Sequence, residues 1–80
     1  MDIRDTNLSY TEVETLIGEW IIGKNAFRDR EILARRLLDG YSYNRLADLF
    51  YEPYGLSVDQ IRRIVRKREA EFYRQFFRHQ

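Results

Sequence analysis

Apolar residues recur along this chain on a 3.6-residue period, and glycine or proline cuts the recurrence at Gly23, at Gly40 and across residues 53–55. No stretch alternates apolar and polar residues as a half-buried strand does, and neither an internal repeat nor a low-complexity segment competes with a helical reading. The expectation is an all-α fold of four helices in one domain spanning residues 1–80, because 80 residues hold one small core.

Each helix has a start signal. Thr11 and Glu14 match a capping box, which predicts a first helix from Glu12 with Val13, Leu16, Ile17, Trp20 and Ile21 on its apolar stripe. Residues 1–10 then form a flexible N-terminus. Asn25 caps a second helix bearing Phe27, Ile32, Leu33, Leu37 and Leu38, with Gly40 past its end. Ser42 caps a short third helix that turns Leu46, Ala47, Leu49 and Phe50 inward. Ser57 and Gln60 form a second capping box and open a long fourth helix. Its stripe of Val58, Ile61, Ile64, Val65, Phe72 and Phe76 is interrupted at Arg68 and Glu69.

Composition removes several function classes. The chain has no Cys, which excludes a disulfide scaffold, a thiolate metal site and a thiol nucleophile, and its lone His is His79. Glu12 and Glu14, like Glu69 and Glu71, are two apart on a helix and diverge, unlike a general acid–base pair. The four glycines are isolated, so no phosphate-cradling loop is present. The reading is a non-enzyme without cofactor or metal. With no signal peptide and no apolar run of the ~18 residues a membrane span needs, a cytoplasmic protein is expected.

The formal charge is only +1, but its distribution is uneven. Residues 1–40 carry 6 basic and 8 acidic side chains, whereas residues 41–80 carry 8 basic and 5 acidic. Five of those eight are Arg62, Arg63, Arg66, Lys67 and Arg68, a window without an acid. On a helical projection Asp59, Arg63, Arg66, Lys67, Ala70 and Arg74 lie opposite the apolar stripe, with Arg62 flanking. A helix packed on one side and basic on the other suits a DNA major groove, where Arg or Lys reaches guanine or phosphate, Gln reaches adenine and Asp accepts from cytosine. A solvated face is the competing reading, with Asp59 and Arg63 forming an exposed i,i+4 pair.

The run DREILARRLLDGYSYNRLADLF, YEPYG, LSVDQIRRIVRK over residues 29–67 resembles region 4 of the major bacterial sigma-factor family and the small sigma-like helix-turn-helix proteins of phages and prophages. The features shared are the Asp29-Arg30-Glu31-Ile32-Leu33 entry, the Asp39-Gly40-Tyr41-Ser42-Tyr43 corner, Leu46-Ala47 with Phe50, and the opening from Leu56 to Ile64. The resemblance implies a helix-turn-helix over residues 42–67 whose second helix reads double-stranded DNA in transcription regulation. It implies DNA contacts from Ser57, Val58, Asp59, Gln60, Arg62, Arg63, Arg66 and Lys67. Asp59 and Arg63 are the first choices for base edges, Ser57, Arg62, Arg66 and Lys67 for phosphates, and Arg45 for a further phosphate. Leu46, Ala47, Ile61 and Ile64 are packing residues in this scheme. Residues 51–55 make a longer connection than the family's tight turn, with Tyr51 and Tyr54 either covering the core edge or contacting DNA backbone or a partner. The upstream sigma regions have no counterpart among these residues.

Two further readings stand beside this one. A protein-interaction module would bind RNA polymerase or another partner through the acidic first helix and the C-terminal aromatics. A structural helical oligomer is the third. Phe72, Tyr73, Phe76 and Phe77 either fold against Trp20 and Ile21 or form a homodimer contact, and the intramolecular arrangement is favoured because so small a domain needs the rings in its own core. Trp20 is read as core.

Overall fold

A computed structural model describes residues 6–78, so His79 and the first five residues of the expected flexible N-terminus lie outside the described residues. The fold is all-helical: α1 (Tyr10–Trp20), α2 (Ala26–Leu37), α3 (Tyr43–Leu49) and α4 (Val58–Arg78), with a helical turn at Tyr51–Tyr54 between α3 and α4. Among the described residues there is no strand, and no helix is long and apolar enough to cross a membrane.

The first helix begins earlier than its sequence suggested. Ser9, not Thr11, is the cap: its Oγ accepts the Glu12 amide at 3.1 Å while Glu12 Oε1 accepts the Ser9 amide at 3.2 Å. Two overlapping boxes compete here. The Ser9 frame places Leu8 before the cap and Val13 at the fourth helical position, an apolar staple at the edge of the core, whereas a Thr11 frame would offer Tyr10 and Thr15.

Asn25 does stand before α2, but its side chain makes no capping bond and its backbone is left-handed, at φ 64. Asparagine tolerates that conformation better than most side chains. Phe27 is 73% exposed, contrary to its place in the expected stripe. Ala26, Asp29, Ile32, Leu33 and Leu37 take the inward positions of α2, and at ~100° per residue Phe27 falls on the far side of the helix from them.

Ser42 caps α3 as expected, accepting the Arg45 amide at 3.1 Å. Leu46, Ala47 and Phe50 are buried, but Leu49 is half exposed on the outer edge. The chain then turns through residues 51–55. Glu52, the residue before a proline in the sequence, is extended (φ −107, ψ 132), and Gly55 takes the left-handed φ of 64 that closes the turn. Ser57 and Gln60 complete the box before α4, with the Gln60 amide reaching Ser57 Oγ at 3.2 Å and the Ser57 amide reaching Gln60 Oε1 at 2.8 Å.

Two apolar clusters share α2 and α4. The first joins Val13, Ile17 and Ile21 to Leu33, Leu37, Phe72 and Phe76. The second joins Ile32 to Leu46, Ala47, Phe50, Leu56, Ile61 and Val65. The C-terminal aromatics therefore fold inward: Phe72 is fully buried, its ring 5.1 Å from Trp20, and Phe76 stacks on it at 6.3 Å. Phe77 is left 54% exposed.

Candidate nucleic-acid interface

The packing of α3 against the first half of α4, through Leu46, Ala47, Phe50, Leu56, Ile61 and Val65, fixes which side of α4 faces outward. Arg63, Arg66 and Lys67 are exposed on that side, and none of the three makes an ion pair among the described residues. Ser57, Asp59 and Gln60 are exposed beside them at the start of the helix, while Val58 is half-buried against the second cluster.

Other expected contacts are engaged within the chain. Asp59 pairs with Arg62 at 2.8 Å, an i,i+3 contact, rather than with Arg63. Arg62 also lies 5.5 Å from the Tyr43 ring centre. The Ser57 hydroxyl and the Gln60 side-chain oxygen are used by the capping box, which leaves Gln60 its amide nitrogen as the polar group directed elsewhere. Arg45 is exposed and stacks over Tyr41 at 4.3 Å. On the other flank of α4, Arg28, Leu56, Gln60, Arg63 and Ile64 line an open cleft of about 260 Å³. Tyr51 and Tyr54 are 65% and 40% exposed, with Tyr54 stacked on Phe50, so they only partly cover the core edge.

Arg68 departs most from the sequence reading. It belongs to the basic window, yet only 4% of it is exposed. Its Nε donates to Asp29 Oδ2 at 2.7 Å, its Nη1 to the Ile22 carbonyl and the Glu71 carboxylate, and its Nη2 to the Lys24 carbonyl. Asp29, equally buried, also accepts from Arg28 at 3.0 Å. Burial opposes the Arg68 charge, but the Asp29 hydrogen bond and the charges of Glu71 and Asp29 outweigh it and raise the guanidinium above its ordinary value. The break in the apolar stripe is thus a buried ion pair, and four outward basic residues of α4 remain from the window of five.

The local pattern concealed Arg68 because its partner lies 39 residues away. It also gave no role to Tyr41, Tyr43 and Arg36, which gather beside Arg45 and Arg62. Among the described residues no three metal-ligating side chains converge. No family model, curated protein or solved structure matches the chain.

Proposed function

We propose that this protein binds double-stranded DNA in transcription regulation, with α3 and α4 acting as a sigma region 4-like helix-turn-helix and α4 entering the major groove. The observation that carries the reading is the outward face of α4, where Arg63, Arg66 and Lys67 are exposed and make no ion pair among the described residues while Ile61 and Val65 anchor the opposite face. Arg63 is the first candidate for a base edge, since Asp59 is engaged with Arg62. Arg66, Lys67, Arg62 and Arg45 supply phosphate contacts, which set register on the duplex. Binding weakens steeply with salt because each neutralised phosphate releases counterions. Titration of a labelled duplex at several salt concentrations tests this: Arg66→Gln and Lys67→Gln each lower the slope of log affinity against log salt by about one unit. Absence of binding even at low salt refutes it.

Docking on RNA polymerase or another protein is the second reading, supported by exposed Glu12, Glu14 and Glu19 along α1 and by exposed Phe77. A polymerase pull-down run beside the titration separates the two.

A further inference from the structure

Three helices each bring one arginine to the corner between α2 and α3. Arg36, near the end of α2, lies 4.3 Å from the Tyr43 ring centre, and Arg62 of α4 approaches the same ring at 5.5 Å. Arg45 of α3 lies 4.3 Å over Tyr41. Both tyrosines are half-buried and rest on the second apolar cluster, so the rings are anchored from below. Two of the guanidiniums are held again by oxygen: Arg36 Nη1 donates to the Tyr41 carbonyl at 2.8 Å, and Arg62 Nη1 to Asp59. Arg45 has the ring alone, with no ion pair among the described residues.

A guanidinium stacked on a ring gives up rotamer freedom before any ligand arrives, yet its planar edge of N–H donors stays open to a phosphodiester. Freedom lost in advance is not lost again on binding. We propose that Tyr41 and Tyr43 are positioning residues of a phosphate-binding ladder beside α4. In it Arg45 and Arg62 donate to the DNA backbone, and Arg36 braces Tyr43. The proposal rests on the duplex-binding reading of α4 and extends it to residues that touch no DNA charge themselves.

Ring and charge have separable signatures. Removing an arginine removes a counterion-releasing contact, so Arg62→Gln lowers both the affinity and the salt slope, the latter by about one unit. Removing a ring leaves every charge in place. Tyr43→Leu and Tyr41→Leu are therefore expected to bind duplex about two- to fivefold more weakly at fixed salt, with the slope unchanged, while Tyr43→Phe binds as the parent does. Circular dichroism melts identify the folded variants; if Tyr43→Leu does not fold, Tyr41→Leu decides. Parent binding with both leucine variants unaffected overturns the ladder alone. Failure of the parent chain to bind at low salt overturns the ladder together with the duplex reading.

Discussion

The two apolar clusters share α2 and α4 but are finished in different ways. Around the first, aliphatic Leu8, Leu16, Ala34 and Leu38 are joined by further rings: Trp20 and Tyr73 lean on Phe72, and Phe77 meets Phe76 and Tyr73. Around the second, Val58 and Ile64 are joined by two tyrosines carrying arginines. One half of the molecule thus closes on itself while the other presents fixed charge. The buried Asp29–Arg68 pair stands at the seam, with Arg68 in the turns of α4 between Val65 of one cluster and Phe72 of the other and Asp29 opposite it on α2. Such a pair is weak as a source of net stability but costly to break, because a buried charge is left under-compensated.

The contrast can be tested by substitution. Phe72→Ala carries the largest expected effect, a loss of about 3–5 kcal/mol measured by urea unfolding, since it empties the centre of the ring-closed half. Leu46→Ala in the other half is expected to cost less, about 2–3 kcal/mol; a larger loss there would reverse the ranking of the two halves. Arg68→Leu takes from buried Asp29 its 2.7 Å partner, leaving it the Arg28 contact, and costs about 3 kcal/mol. Adding Asp29→Leu restores part of that loss, so the double variant is less destabilised than the two single losses together. Strict additivity would deny that the pair is coupled. Ser57→Ala removes the hydroxyl that caps α4 and lowers stability by about 1 kcal/mol. Smallest is Phe77→Ser, within about 0.5 kcal/mol by thermal melting, because its ring is mostly in water.

Much of the fold is local and so could be read in the sequence. The caps at Ser42 and Ser57, the stripe of α4 and the inward fold of Phe72 and Phe76 all follow from residues a few positions apart or from the need to cover large rings. The misplaced features have a different origin. Ser9 prevails over Thr11 through the apolar residues around the box, Phe27 has the type of a core residue at the wrong angle, and Asn25 has the type of a cap in a left-handed backbone. Of the candidate interface, the outward positions of Arg63, Arg66 and Lys67 were legible from periodicity. The pairing of Asp59 with Arg62 was not, because i,i+3 and i,i+4 partners are equally close on a helix surface and Tyr43 approaches from another element.

Arg68 also fixes the rotational phase of α4. Its guanidinium is bound to Asp29 of α2 and to the carbonyls of Ile22 and Lys24, all from the first half of the chain. A one-residue slip of α4 would swing every side chain on it by ~100° and pull Arg68 out of that socket. The net-acidic front half therefore serves as a stator for the basic helix, setting the azimuth at which Arg63, Arg66 and Lys67 leave the surface. An insertion between Lys67 and Arg68 would set that socket against the seating of Ile61 and Val65 on α3, so the two anchors of the helix would no longer agree on one azimuth.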